Sequence, residues 1–412
     1  MNTFSVVFLL MLMLVTATRL WLAQRQHRHV LDHRHRVPET FAGHISLDNH
    51  LKSADYTCAT MRLEQISTVY SALLLLFWTL GGGLELLDKL WLDSTWPVLL
   101  AGTAIVLIFI FLNQFLELPL NLYRTFVIEQ RFGFNHTRPG LYIADLGREA
   151  LLTLLIGTPV IAAALWLMQS GGNLWWVFVW LLWMALSLLM LWSYPVLIAP
   201  LFNTFSTLSD AGLKNRIETL LEKTGFRSNG IFVMDSSRRT GHGNAYFTGL
   251  GRQKRIVFYD TLLDSLNADE TEAVLAHELG HYRRHHVHQR LLWTACLSLT
   301  GCALLAWLAG QEWFYHGLGM QRPSAHAAIL LFLLAVPVFS FFLHPLLLLQ
   351  TRRHEFEADE FATRYTAAGA LTNALLKLYE DNATTLTPDP LYSVFHDTHP
   401  PAPVRIAHLE TK

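Results

Sequence analysis

Charge is what this sequence has least of. Only 15% of its 412 residues are Asp, Glu, Lys or Arg, while 52% are hydrophobic; an ordinary globular chain carries about 25% charged residues. That balance argues against the two or three soluble domains that length alone would allow. The net charge is −1, so no basic surface is set aside for nucleic acid. Cysteine is nearly absent too. Cys58, Cys296 and Cys302 lie in or near apolar runs without CxxC spacing, which argues against a disulfide framework or a thiolate zinc site. The first apolar run has no basic residue before it and no convincing small-residue cleavage site, so it reads as a retained helix and not a signal peptide.

What the sequence does have is apolar length. Seven runs approach a membrane span: residues 4–22, 69–87, 97–115, 150–168, 174–195, 291–309 and 327–349. With seven spans, only Lys89 and Arg322 of the 31 Lys and Arg residues fall on one of the two faces. Basic loops stay cytoplasmic, which puts the N-terminus outside and the C-terminus inside. The segments 202–290 and 351–412 then share the cytoplasmic face. The division that follows is 1–200 for the first five spans, 201–290 for a polar region, 291–350 for the last two spans and 351–412 for a C-terminal region. Within the first polar region the β-type runs 231–234 and 255–259, with 244–249 as a third, are separated by glycines and predict a small antiparallel sheet.

"LNADETEAVLAHELGHYRRHH" reads as a helix, with Asn267 or Asp269 placed to cap it. Residues four apart share a helix face, so His277 and His281 can hold one ion. Glu278 stands about 100° round from His277, where a carboxylate can take a proton from an activated water. In a chain with 20 histidines this pentapeptide alone is weak, and a charged amphipathic helix would read the same way. A catalytic zinc needs a third protein ligand. "TRRHEFEADEFATRY" offers Glu355, with Asp359 one turn further on, and the two spans in between return it to the same side as His277.

These motifs, "HELGH" followed by "RRHEFEADEFA", resemble those of the type I CAAX prenyl proteases, integral-membrane zinc proteases of the gluzincin type. "VPETFAGHISLDNHLKSADYT", "YRTFVIEQRFGFNHT", "IAPLFNTF", "GNAYFTGLGRQKRIVFYDTLL" and "HPPAPVRIAHL" extend the likeness along nearly the whole chain. The resemblance implies a mainly α, seven-span membrane protein with a zinc protease region of helices and a small sheet on the cytoplasmic side. It implies one zinc ion on His277, His281 and Glu355, with Glu278 as general base. Asp359 would support a ligand histidine, the alternative being a proton donor, and Arg405 would pair with it. Asn244 would hold the substrate backbone, and His399 would face the reacting carbonyl. The expected substrate is a peptide or protein, prenylated near its C-terminus. Quality-control proteolysis without a prenyl requirement is the alternative, and a metal-binding scaffold or transporter the remote one.

Other features have plainer readings. His285, one turn past His281, reads as a surface or supporting residue because the ion is already served. "HRHVLDHRHR" reads as an anchor to anionic headgroups. "GGG" at 81–83 reads as a bend or close-packing point. Asn135 and Asn382 fit a glycosylation sequon but fall on the cytoplasmic face. Asn113, Gln114 and Glu117, inside or beside a span, need polar partners.

Overall fold

The computed structural model describes residues 1–92, 95–248 and 254–411 and is mainly helical. The first part of the chain forms α1 (Thr3–His33), α2 (Leu47–Trp78), α3 (Gly83–Leu92), α4 (Val98–Phe132), α5 (Pro139–Ser170) and α6 (Gly172–Phe202). All but α2 and α3 are singly long and apolar enough to cross a membrane. The run at 69–87 is not a straight span: α2 and α3 meet there at a 40° bend. The bend belongs to the glycines. A Cβ on Gly81 would stand 2.9 Å from the Phe77 Cα, and Gly82 sits at φ +80°, which a side chain would resist. Proline sets the breaks elsewhere: π-turns at Thr153–Gly157 and Tyr194–Ile198 lie before Pro159 and around Pro195, where a helix N–H is missing.

Some polar groups of the spans are partnered, whereas the buried Ser193 hydroxyl finds no partner among the described residues. The Trp78 indole donates to Asn113 Oδ1 at 3.1 Å, and Asn113 donates to Glu117 Oε1 at 2.9 Å. Lys89 pairs with Glu85 at 3.2 Å, and Glu85 also accepts the Gln321 amide at 3.0 Å. That contact brings the neighbourhoods of Lys89 and Arg322 to one end of the bundle.

The polar region carries four strands: β1 (Phe205–Thr207), β2 (Ile231–Met234), β3 (Ala245–Thr248) and β4 (Arg255–Tyr259). Their order is β1-β2-β4-β3. The sheet is therefore mixed, correcting the antiparallel expectation: β2 runs parallel to β4, pairing Ile231 with Ile256, while the two outer pairings are antiparallel. The physical reason is the long connection after β2, which passes through β3 before returning and so lets β4 enter in the same direction as β2. Gly249 lies outside the described residues. Central β4 buries Ile256 and Phe258 against Ile217, Leu220, Leu262 and Leu275, while Val257 between them is buried on the other face. β3 is left as an edge, paired on one side only.

Helix α7 (Ala268–Arg283) carries the HELGH motif. Asn267 caps it in a reciprocal box, accepting the Glu270 amide at 3.0 Å while Glu270 accepts the Asn267 amide at 2.8 Å. Asp269, the other candidate cap, instead pairs with Arg216. The chain then enters the membrane as α8 (His286–Ala309) and returns as α9 (Ala325–Tyr365), which continues through a short 3₁₀ turn at Phe341–Leu343. Helix α10 (Ala402–Glu410) folds back onto α9.

Candidate active site

Close approach of α7 and α9 makes the site. A Cβ on Gly280 would lie 2.9 Å from the Ala358 Cα, so only glycine lets these backbones come this near. Ala276, Ala358 and Ala362 are fully buried along the same seam. The seam brings Glu355 to the motif histidines. His281 Nε2 lies 3.2 Å from His277 Nε2 and 3.2 Å from Glu355 Oε1, and His277 Nε2 lies 3.5 Å from Glu355 Oε2. A tetrahedron with 2.0–2.1 Å bonds has edges of about 3.3–3.4 Å. The two imidazole nitrogens and the carboxylate, each to its nearer oxygen, stand near that spacing, and with one ligand atom from each residue all three lie within 4.8 Å, a group among the described residues that could hold one metal ion.

Around these three groups the charges are tightly arranged. Asp359 is fully buried, and its Oδ1 lies 2.8 Å from His277 Nδ1. Arg405, from α10, grips Asp359 with two bonds of 2.9 and 2.5 Å, and its Nη1 is 3.6 Å from Glu355. The expected Arg405–Asp359 pair is thus present in the structure. Burial works to lower the pKa of His277, but the Asp359 and Glu355 carboxylates outweigh it and push it up to about 9. A cation arriving here therefore displaces a proton from a site already poised to hold positive charge.

Glu278 is half-buried and, with His281, Glu355 and His399, lines a cavity of about 800 Å³. The same cavity is lined by Leu291, Trp293, Leu297 and Leu347 of the membrane helices. His399 places Nδ1 at 2.6 Å from Glu355 Oε2, beside the ligand set and largely exposed. Asn244 is exposed at the start of edge strand β3, its Oδ1 accepting the Ala245 amide at 2.8 Å. It does not line the cavity, and neither do His277 and Asp359.

Two parts of the site were not foreseen from sequence. The helix does not run on to His285: that residue is exposed with φ +60°, and it is His286 whose Nδ1 stands 3.0 Å from His281 Nδ1. Asn382, read only as an unused sequon, accepts the Gly243 amide at 3.1 Å and so braces the backbone next to Asn244. Neither had a sequence signal, since one depends on a left-handed residue and the other on a contact across 139 residues.

Comparison with known proteins matches nearly the whole chain. A model for the CAAX prenyl protease N-terminal region, five membrane helices, fits residues 26–204, and the model for peptidase family M48 fits residues 207–412. The chain is 33% identical over 388 residues to the CAAX prenyl protease 1 homolog of Arabidopsis thaliana, covering 91% of this chain and 90% of that one. It is 30% identical over 421 residues to CAAX prenyl protease 1 of Saccharomyces cerevisiae, covering 95% and 91%. The crystal structure of S. mikatae Ste24p superposes with a TM-score of 0.91 at 27% identity over 99% of both chains. Matched nearly end to end, the chain belongs to the CAAX prenyl protease family of M48 peptidases and is a multi-pass membrane metalloendopeptidase.

Proposed function

We propose that the ion is a single zinc held by His277, His281 and Glu355, and that the enzyme cleaves lipidated peptides at the cytoplasmic face of its membrane. The observation that carries this reading is the cluster of His277, His281 and Glu355, whose ligand atoms lie within 4.8 Å of one another, beside a cavity lined by His281, Glu355 and Glu278. When bound, zinc polarises the scissile carbonyl and lowers the pKa of a water from about 16 toward about 7. Glu278 takes the proton that the attacking water gives up as the C–O bond forms. It then delivers that proton to the amine nitrogen as the C–N bond breaks. Asp359, steadied by Arg405, keeps the His277 proton on Nδ1 and its Nε2 lone pair turned toward the other ligands. His399 keeps Nδ1 on Glu355, and in the protonated ring Nε2–H is the donor for the oxyanion, worth about 3 kcal/mol of barrier. Asn244, at the free edge of β3, aligns an extended peptide by strand addition.

Apolar side chains of three spans share the cavity with the reacting groups, which suits a substrate carrying a lipid. The curated relatives are named for prenylated CAAX substrates. The distribution of Lys and Arg supports segments 201–290 and 351–412 as two halves of a cytoplasmic catalytic region. The test compares wild type with Glu278→Gln on a farnesylated CAAX peptide and its unprenylated twin, in detergent or liposomes. Expected is unchanged zinc content with cleavage lowered about 10²–10⁴-fold, and a wild-type preference for the farnesylated peptide. Undiminished cleavage by the variant removes Glu278 as base. Equal wild-type rates on both peptides turn the reading to quality-control proteolysis.

A further inference from the structure

The two ligand histidines are held differently. His277 rests directly on a carboxylate, Asp359. Among the described residues His281 Nδ1 meets no carboxylate; His286 Nδ1 stands there at 3.0 Å, and His286 Nε2 in turn lies 3.1 Å from Glu357 Oε2. We propose that His286, relayed to Glu357, is the positioning residue that fixes the tautomer and direction of His281, a role that rests on His281 being a metal ligand.

Each link determines the next. An ionised carboxylate only accepts, so the proton of the His286–Glu357 bond belongs to His286 Nε2. A neutral imidazole with its proton on Nε2 offers Nδ1 as an acceptor. The proton of the next bond therefore sits on His281 Nδ1, which leaves the lone pair of His281 Nε2 facing His277 and Glu355.

The fold explains why a relay is needed. Glu355 and Asp359 are four apart on α9 and share a face, whereas Glu357 lies between them about 200° round the helix. From there it cannot reach a ligand histidine unaided. His286 closes the gap because His285, at φ +60°, breaks the helix and turns the next residue back beside His281. His286 is buried, with His354 stacked on it at 3.9 Å and 7° and held in turn by Gln289 at 2.9 Å. Its ring plane is therefore set from both ends and from one face.

The experiment purifies wild type and the variants His286→Ala, His286→Asn, Glu357→Ala and His281→Ala. It measures zinc per chain, zinc transfer to a competing chelator, the visible spectrum of the cobalt-substituted protein and the melting temperature. The expected result is zinc affinity about 10–100-fold lower in His286→Ala, a smaller loss in Glu357→Ala, and a shifted cobalt band in both. The Asn side chain can place Oδ1 where Nδ1 stood, so His286→Asn should recover most of the affinity and the native band. A mere packing role would lower the melting temperature of the Ala and Asn variants alike without moving affinity or spectrum, and that outcome overturns the proposal. So does wild-type affinity in His286→Ala when His281→Ala has lost its zinc. If His281→Ala itself keeps zinc, the ligand assignment fails, and the relay falls with it.

Discussion

Asp260 accepts bonds from the Ser236 hydroxyl at 2.7 Å, the Ser237 amide at 2.9 Å, the Thr261 amide at 2.8 Å and the Ser237 hydroxyl at 2.5 Å. This knot ties the end of β4 to the turn that leads toward Asn244. Burial works to raise the Asp260 pKa, but the bonds from Ser237, Ser236 and Thr261 outweigh it and hold the carboxyl below its ordinary value. A carboxyl depressed below an unfolded value of about 3.9 stabilises the fold fully above that pH. The contribution drains away as pH falls through the lower folded value. Asp260→Asn should therefore melt about 2–4 °C below wild type at pH 7, and the gap should close on acidification. Melting curves in detergent from pH 7 to pH 3 check this, and parallel profiles would contradict it. At this scale the nearness of His277 and His281 could be read from sequence, because four-residue spacing fixes a helix face without tertiary knowledge, whereas Glu355 is placed beside them by the two spans in between and by the resemblance. His286 could not: nothing in "RRHHVH" says that His285 leaves the helical region, a conformation that a residue with a side chain seldom takes.

Helix α7 meets α9 through a contact that only glycine permits. Gly280→Ala would drive a methyl to 2.9 Å from the Ala358 Cα and 3.1 Å from its carbonyl oxygen, and neither backbone atom can swing away. The variant should lose about 1–3 kcal/mol and, with the helices parted, bind less metal per chain. Gly301 on α8 is the control, since a Cβ there would meet only Phe332 at an ordinary 3.9 Å. Gly301→Ala should be neutral or slightly stabilising. Melting temperature and metal content of the two variants decide the matter, and equal behaviour would dismiss the seam. Elements varied in how far sequence revealed them. The capped motif helix carried both its period and its Asn267–Glu270 box, and it folds as expected. The sheet did not, because glycines mark where strands stop but not which strands become neighbours. The three residues of β1 were too few to show an alternation at all.

The whole molecule is a bundle with its polar machinery gathered at one end, and the apolar runs showed most of this in advance because bilayer thickness fixes their length. The bend at 81–83 blurred one of them, since a run of apolar residues says nothing of its own straightness. Orientation can be tested on a background lacking Cys58, Cys296 and Cys302. A single Arg322→Cys should react with a membrane-impermeant maleimide in intact cells, and a single Lys214→Cys only after permeabilisation. The opposite pattern would invert the assigned topology. The separation of the site's parts also bears on synthesis. The motif helix leaves the ribosome first, Glu355 follows only after a hairpin through the lipid, and Arg405, 128 residues beyond His277, comes later still. A half-made chain thus carries His277, Glu278 and His281 without Glu355, Asp359 or Arg405. A site that draws on all of these residues can close only after the chain has completed its passage through the lipid.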